Sequence, residues 1–519
     1  MAQNNSRLLS ARELARKAPS RGEVGLQRPL PAARYFSSNS LTIHFWVWVL
    51  LASMTLVSPI VAQDESAISN DNQQVKGSRL LQPSSFGFKI PVAQVRPNDL
   101  DNVKTRDEDN RTVVAKSYVK VGDNYVVLLP TGRLVDRFAK QVEATSEKFE
   151  PIEPKALAKK VIEEKLSRFS NVKTHLSKRK HYVFLYNTSE KFLAGTEAIL
   201  VSMFNGVRAY AENMGIETHD PDVPLVVIMF QTQAEFQAYQ AMPQGVVAYY
   251  DMVSNHIVLC EESPLFNTRP DLAQGQLIST IAHEGAHQIL HNIGVQKRLS
   301  MWPMWLSEGI AEFFAPTSFG RRNRWKGAGD INNLRMFELE SFLQTRFIEG
   351  VDGKTIRETV TAPRLDSTGY AAAWSIVHFL SRKKRRKFYE YVAQMSQLKP
   401  MRGMVAPSGE PVIANLEHFN AFFGEDSQEN EESMIDYLGG LNYESPVAGF
   451  VHYVGLVIVP EGNEMKRYAC CFHTQQKVDE WKAVLLEKLT SSQIQQAKWE
   501  LKKVKNRGAA NGIIRRFIR

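Results

Sequence analysis

The sequence predicts a mixed α+β protein, and three observations support this prediction. Residues 112–135 alternate apolar and polar side chains around a Gly122-Asp123-Asn124 turn, as the strands of a β-hairpin do. Farther along, short apolar runs of strand type, such as PLVVIMF from Pro224, alternate with long helical patterns. Only three cysteines occur in 519 residues, and none shows a CxxC spacing. The fold therefore depends on its hydrophobic core rather than on disulfides or a cysteine-bound metal.

The net charge of +9 is concentrated at the two ends of the chain. Residues 1–40 carry seven Lys/Arg against two acidic residues, and residues 498–519 carry eight Lys/Arg against Glu500. The intervening chain is therefore slightly acidic, and it has no extended basic face for phosphates. We expect no nucleic-acid partner.

An apolar run from Leu41 to Ala62, LTIHFWVWVLLASMTLVSPIVA, follows this basic N-terminal region. A basic region, an apolar region and a small residue before a polar start form the layout of a cleaved secretory signal peptide. The run is also nearly long enough to span a bilayer, so an uncleaved signal anchor is the alternative. In either case we expect export to the periplasm, the cell envelope or the extracellular space. The signal anchor or the basic tail could contact a membrane surface or the cell envelope.

The rest of the chain divides where its composition changes. The C-terminal tail, NGIIRRFIR, mixes Ile, Phe and Arg as interfacial segments do, but we expect it to be a frayed basic terminus. The predicted segments are a signal peptide or signal anchor (1–62), a flexible leader (63–85), a small β-rich domain (86–150), a helical connector (151–179), a main domain (180–444) and a small α/β extension with the basic tail (445–519).

The main domain is predicted to alternate strands with helices. GVVAYYDMVSNHIVLCEE has the pattern of two strands around a Ser-Asn turn at 254–255. Three helical patterns follow, at about 271–292, at 303–316 and from Tyr370 in YAAAWSIVHFL.

The first of these helices contains IAHEGAHQIL, in which His283 and His287 stand four residues apart. Four residues turn an α-helix by about 400°, so both imidazoles face the same way and can bind one metal ion. Glu284 lies about 100° from the first histidine, beside the ion, where it can act as a general base. His291 continues the same stripe but lies about 12 Å from His283 along the helix axis, so we expect it to pack rather than to bind.

A zinc site of this kind needs a third protein ligand, and the next helix offers one. WLSEGIAEFF places Glu308 in an apolar setting, where an uncompensated carboxylate is costly and a cation would offset the cost. Glu312 lies one turn farther along and faces the same way, so it can accept the free ring N–H of a histidine ligand. The reverse assignment, with Glu312 as the ligand and Glu308 as its support, stays open.

HEGAH followed by WLSEGIAEFF resembles the gluzincin clan of zinc metallopeptidases, in which a glutamate from the following helix completes HExxH. With YAAAWSIVHFL, residues 180–440 more narrowly resemble the peptidase-MA-like families of exported bacterial proteins, among them DUF1570. The resemblance implies a zincin-like fold, with a mixed sheet and its edge strand, the HExxH helix and a helical C-terminal lobe. It also implies these roles: Zn²⁺ at His283, His287 and Glu308, with Glu284 as general base and Glu312 as the supporting acid.

The resemblance further implies an oxyanion donor and a substrate-binding strand. In several gluzincins a tyrosine or histidine from a later helix is the donor; Tyr370 is the residue expected here, and His378 is the second choice. An extended peptide substrate would pair with the edge strand, which either GVVAYY or HIVLCEE could form. Tyr249 and Tyr250 in the first of these are expected to be ordinary strand aromatics.

These residues predict a zinc-dependent metallohydrolase, and within that class a peptidase acting on a peptide or protein substrate. The alternative is a non-catalytic binding or scaffold protein that keeps a metallopeptidase-like fold. The complete HExxH with a third carboxylate favours the enzyme, because a decayed site would be expected to lose Glu284.

Overall fold

The protein has a mixed α+β structure, as the sequence predicts. Among the described residues, no helix is both long and apolar enough to cross a membrane. The predicted signal segment, 1–62, and all but the end of the leader lie outside the described residues. The computed structural model describes residues 83–178, 182–243, 245–263, 270–318, 324–346, 348, 350–403 and 414–518.

An antiparallel sheet occupies the predicted β-rich domain. Its order is β5-β4-β3-β2-β6, and β1 pairs with β3. Gly122 makes the β3–β4 turn with a φ of +60°, a conformation that glycine adopts without a steric cost. Short 3₁₀ turns occur at Pro83–Phe86 and Ala139–Gln141. The strands are β1 (Val95–Arg96), β2 (Asn102–Arg106), β3 (Thr112–Val121), β4 (Asn124–Leu128), β5 (Leu134–Arg137) and β6 (Glu143–Thr145).

The predicted helical connector, 151–179, is helical only in its first half. Helix α1 (Pro154–Val161) continues into a π-helical turn (Ile162–Leu166), and Lys173–Leu176 then form strand β7. This strand was not predicted because KTHL is short and mostly exposed, so it has no apolar alternation to distinguish it from a loop.

A mixed sheet of order β10-β11-β9-β8-β7 follows. Its three inner strands are parallel and buried throughout, which explains their continuous apolar sequences, while the two edge strands run antiparallel. Helices α1 and α3 supply apolar side chains to the core on the sheet. The further elements here are β8 (Tyr182–Tyr186), α2 (Glu190–Asn213), β9 (Leu225–Phe230), α3 (Gln233–Tyr239), β10 (Ala248–Asp251) and β11 (His256–Cys260).

The next part of the chain is mainly helical. The HExxH motif lies on α4, which ends two residues before Gly294, a glycine with a φ of +93°. These elements are α4 (Pro270–Asn292), α5 (Met304–Phe314), β12 (Thr317–Ser318), β13 (Arg324–Trp325), α6 (Asn333–Arg346), α7 (Lys354–Thr361), α8 (Ser367–Lys383), α9 (Arg385–Ser396), α10 (Ala414–Phe423) and α11 (Ser427–Gly439).

The last sheet along the chain is a three-stranded antiparallel sheet of order β15-β14-β16. The predicted frayed tail is wrong: residues 507–518 form a helix whose Ala510 and Ile514 are buried against the sheet. The apolar residues of this helix therefore pack in the core of the C-terminal sheet. This was not predicted because the segment is short and rich in arginine. These elements are β14 (His452–Glu461), β15 (Glu464–Phe472), α12 (Gln475–Glu487), α13 (Ser491–Gln496), β16 (Lys498–Val504) and α14 (Arg507–Ile518).

The described residues form two compact units. The larger contains residues 83–332 with Ile356–Asp426, and the smaller contains Asn333–Thr355 with residues 427–518. In the smaller unit, the Gln344 side chain of α6 donates to Cys471 O (3.1 Å) and accepts from Cys471 N (2.7 Å) at the edge of β15. These bonds show how a segment far from the C terminus in sequence becomes part of this unit.

Candidate metal centre

The HExxH helix presents His283, Glu284 and His287 to the interior of the larger unit. Their exposed fractions are 6%, 8% and 9%. Gly285, between them, faces helix α2: a Cβ added there would lie 2.4 Å from Leu200 Cδ2. The glycine of HEGAH therefore permits the close packing of α4 on α2.

Buried amides anchor α4 to the mixed sheet. Gln288 Nε2 donates to Asn255 O (2.8 Å) and Val226 O (3.2 Å), and Asn292 Nδ2 donates to Asn255 Oδ1 (2.8 Å). Asn255 turns between β10 and β11 with a φ of +66°, which asparagine tolerates better than most residues. Sequence reasoning placed Asn255 in the turn but missed Gln288 and Asn292, whose one-turn spacing on α4 was the only signal for them.

Helix α5 brings Glu308 and Glu312 to the site. Gly309, between them, packs closely on α8: its added Cβ would lie 2.6 Å from Ala373 O and 2.7 Å from Val377 Cγ2. These distances are shorter than atoms tolerate, so only glycine lets α5 and α8 approach this far. The glycine in SEGIAEFF is thus explained by packing rather than by chemistry.

Three potential ligand atoms converge between α4 and α5. His283 Nε2 lies 3.2 Å from His287 Nε2 and 3.2 Å from Glu308 Oε2, and His287 Nε2 lies 3.4 Å from the same carboxylate oxygen. A tetrahedral zinc ion, with bonds of about 2.0–2.1 Å, separates its ligand atoms by about 3.3–3.4 Å. His283, His287 and Glu308 are all buried and could hold a metal ion.

Glu312 approaches the other side of one imidazole. Its Oε1 lies 3.2 Å from His283 Nδ1, and its Oε2 accepts a 2.9 Å hydrogen bond from Asn332 Nδ2. A carboxylate at Nδ1 favours the tautomer with the proton on that nitrogen, which leaves the Nε2 lone pair for a metal. The chemistry of the donor set, a nitrogen pair and a carboxylate oxygen, fits zinc.

The buried carboxylates and imidazoles of this group shift one another's pKa values. Burial by itself would lower the pKa of His283, but the carboxylates of Glu308 and Glu312 raise that pKa well above its usual value. Burial would likewise raise the pKa of Glu308, but the adjacent His287 and His283 hold it below its usual range. Carboxylates buried beside imidazoles favour a cation, because an uncompensated buried charge is costly.

Glu284 lies beside this group and has its own hydrogen-bond partner. Its Oε2 accepts a 2.8 Å hydrogen bond from the main-chain N–H of Tyr250 on strand β10. Burial raises the pKa of Glu284, although the neighbouring histidines oppose the rise. The Tyr250 N–H therefore orients a carboxylate whose proton affinity is increased, which suits a group that takes and returns a proton.

Tyr370 also reaches the site. It is buried on the first turn of α8, which Asp366 caps, and its ring centroid lies 6.1 Å from that of His283. His378, on the same helix, has Nε2 3.2 Å from Gly329 O and its ring beside Trp374. Because a carbonyl can only accept, Nε2 of His378 carries a proton in this contact and is engaged outside the ligand group.

His291 packs beside the ligands, as expected from its position on the stripe. Its ring centroid lies 6.5 Å from that of His287 and 5.4 Å from that of Tyr250. The group of atoms that could hold a metal does not include it. Burial lowers its pKa well below the usual value, which keeps the ring neutral.

Of the two candidate edge strands, β10 lies at the edge and β11 lies inside the sheet. Tyr249 packs in the core and donates its hydroxyl to Gln240 Oε1 (2.8 Å), as an ordinary strand aromatic does. Tyr250 donates its hydroxyl to Asn255 Oδ1 (2.8 Å), while its main-chain N–H contacts Glu284. Sequence reasoning considered the side chain of Tyr250 but missed the role of its backbone.

The comparisons with known proteins support one family resemblance. Residues 277–402 match the model of a family described as a protein of unknown function (DUF1570). The DUF1570 resemblance predicted from the sequence is thereby confirmed for this part of the chain. A comparison with curated proteins gave no match. The matched part contains His283, Glu284, His287, Glu308, Glu312 and Tyr370.

Proposed function

We propose that the protein is a zinc-dependent metallohydrolase of the gluzincin type and acts as a peptidase. The observation that carries this proposal is the convergence of His283 Nε2, His287 Nε2 and Glu308 Oε2 within 3.4 Å of one another. The mixed sheet, its edge strand and the two helices that supply these atoms are consistent with a zincin-like fold.

The residues of the chain then have distinct roles. His283, His287 and Glu308 would hold the zinc ion, and Glu312 would keep the proton of His283 on Nδ1. When bound, zinc supplies a Lewis acid that polarises a carbonyl and makes water easier to deprotonate.

Glu284 performs the proton transfers in this proposal. Its carboxylate accepts a proton from the attacking water and later passes it to the leaving amine. The Tyr250 N–H keeps Oε2 in place, so the other carboxylate oxygen is available to the water. Tyr370 would donate a hydrogen bond to the carbonyl oxygen as its negative charge develops.

Strand β10 would bind an extended peptide substrate. All four residues of β10 lie opposite residues of β11, and the carbonyls of Val247 and Asp251 accept hydrogen bonds from Cys260 N and Asn255 N. In an antiparallel pair every second residue bonds to the partner strand, so Tyr249 also turns its backbone groups toward β11. Ala248 and Tyr250 therefore turn their backbone groups to the edge of the sheet that no strand pairs with, where the Tyr250 N–H contacts Glu284. An added strand at this edge would lie directly beside the general base.

A peptide-library digest tests the proposal. We expect the metal-loaded chain to cleave peptides, a chelator to stop cleavage, and Glu284→Gln to lose about 10²–10⁴-fold in turnover while it keeps its metal. Glu431→Gln is a matched control, because it makes the same change at a fully buried glutamate of the smaller unit; its turnover should be unchanged.

Two results would contradict the proposal. If Glu284→Gln cleaves peptides as fast as wild type, Glu284 is not the general base. Cleavage of no peptide by a fully metal-loaded wild type would instead favour the alternative, a non-catalytic binding or scaffold protein.

A further inference from the structure

The β10–β11 hairpin, which carries the Tyr250 N–H, is held at its turn by one buried arginine. Arg298 lies in the segment that follows α4, and only 3% of it is exposed. Its Nε donates to Met252 O (2.6 Å), and one of its terminal nitrogens donates to Val253 O (2.7 Å). These bonds go to two consecutive main-chain carbonyls of the turn, which a planar guanidinium can reach with parallel N–H groups.

The other terminal nitrogen of Arg298 reaches the β-rich domain. It donates to Gly132 O (2.8 Å), in the loop between β4 and β5. Next to this contact, Leu134 N donates to Val253 O (2.8 Å), so the same turn carbonyl receives a bond from the β-rich domain directly. Three segments distant in sequence thus meet at one guanidinium.

Two further contacts fix the position of Arg298 itself. Tyr118, on β3, donates its hydroxyl to the Arg298 carbonyl oxygen (3.1 Å). Leu299 has a φ of +65°, a conformation that costs a branched residue energy, and its side chain is buried in the core of the β-rich domain beside Val121 and Leu134. The backbone at this point is therefore held in place by its packing on the β-rich sheet.

We propose that Arg298 is a positioning residue that clamps the β10–β11 hairpin onto the β-rich domain and so holds the Tyr250 N–H on Glu284. In this proposal the β-rich domain helps to position Glu284 through Arg298 and the β10–β11 hairpin. The consequence for turnover rests on the proposed function, since it needs Glu284 to act as the general base. The clamp itself does not depend on that function.

The test compares Arg298→Met with Arg137→Met. Arg137 is the matched control, because its guanidinium also bonds to main-chain carbonyls, those of Asp136 and Arg106, but only within the β-rich sheet. Hydrogen exchange of the hairpin amides, zinc content, kcat and KM are measured for both variants. A third variant, Arg298→Lys, keeps the charge but cannot reproduce the three-way fork.

For Arg298→Met we expect hairpin amides, including that of Tyr250, to exchange at least about tenfold faster, and kcat to fall about tenfold with the zinc content retained. Arg298→Lys should show a smaller change of the same kind, and it decides the question if Arg298→Met does not fold. Arg137→Met should change neither hairpin exchange nor kcat.

Hairpin exchange equal to wild type in the Arg298 variants would overturn the clamp, and so would an equal effect in Arg137→Met. The exchange measurement does not require catalysis. If wild type cleaves no peptide, the proposed function is refuted, but the exchange rates of the Arg298 variants still show whether Arg298 holds the hairpin.

Discussion

Glu308 and Glu312 differ in the imidazole atom that each approaches, and this difference separates their roles. Glu308 Oε2 lies near Nε2 of both His283 and His287, whereas Glu312 Oε1 lies near Nδ1 of His283. Sequence reasoning left the reverse assignment open, because two glutamates one turn apart face the same way. The geometry favours Glu308 as the ligand and Glu312 as the group that sets the tautomer of His283.

Replacing Tyr370 with Phe tests the oxyanion donor. We expect Tyr370→Phe to lower kcat by about 10²–10³-fold with the zinc content unchanged, because the ring still packs beside His283 but the hydroxyl is lost. Tyr391→Phe is the control: Tyr391 is equally a buried tyrosine, on α9, and its turnover should match wild type. A kcat for Tyr370→Phe within about twofold of wild type would exclude this role.

His378 is expected to affect stability rather than turnover. Burial lowers its pKa to about 4, whereas the unfolded chain has the ordinary value of 6.5. The unfolded state therefore takes up the proton first, so the contribution of His378 to stability is present above pH 6.5 and is lost between pH 6.5 and about 4. This loss amounts to about 3 kcal/mol.

Denaturant unfolding between pH 4 and 7 measures this contribution. His378→Gln keeps a donor for Gly329 O but does not titrate, so its free energy of unfolding should fall less steeply with acid than that of wild type. Both chains share the metal ligands, so the difference between their profiles isolates His378. Parallel profiles would show that this residue is not buried in its neutral form.

At the scale of elements, the site depends on how closely α5 approaches α8. Glu308 and Glu312 lie on α5 and Tyr370 lies on α8, and Gly309 of α5 packs closely on α8. The proposed third ligand, Glu308, and the proposed oxyanion donor, Tyr370, are therefore positioned by one helix pair, while α4 supplies the two histidines.

Gly309→Ala should force this pair apart. Its new Cβ would meet the Ala373 carbonyl at 2.6 Å, an atom that cannot move without the helix. We expect a loss of about 1–3 kcal/mol in the free energy of unfolding and weaker zinc binding. Gly275→Ala, also in a helix but with nothing near its Cβ, should be neutral or slightly stabilising. Wild-type stability and zinc affinity in Gly309→Ala would contradict this account of the helix pair.

Sequence reasoning succeeded where a periodic pattern or a fixed spacing carries the information. It placed the HExxH helix, the β10–β11 hairpin and the glutamate-bearing helix, because each has apolar periodicity and a clear turn or cap. Strand β16 was missed, because three of its seven residues are lysines, which conceal the alternation of an edge strand. Arg298 and the Gln288 amide were missed, because their partners lie far away in sequence and bond through backbone atoms that leave no motif.

At the scale of the whole molecule, two of the segments predicted from the sequence each form one compact unit with residues that are distant in sequence. The β-rich domain shares its core with Leu299 and Met401, and it belongs to the same compact unit as the candidate metal centre. The C-terminal sheet shares its unit with Asn333–Thr355, and Glu340 of that segment pairs with Arg507 (2.6 Å). One basic residue of the C-terminal segment, Arg507, is therefore neutralised by an internal ion pair.

Zinc stoichiometry is the measurement that most directly tests the metal centre. We expect one zinc ion per wild-type chain and a loss of bound zinc in His283→Ala, because that change removes one of the three proposed protein ligands. His418→Ala, which alters a histidine of α10, outside the ligand group, should retain the metal. A wild type without bound metal, or an unchanged zinc content in His283→Ala, would contradict the account.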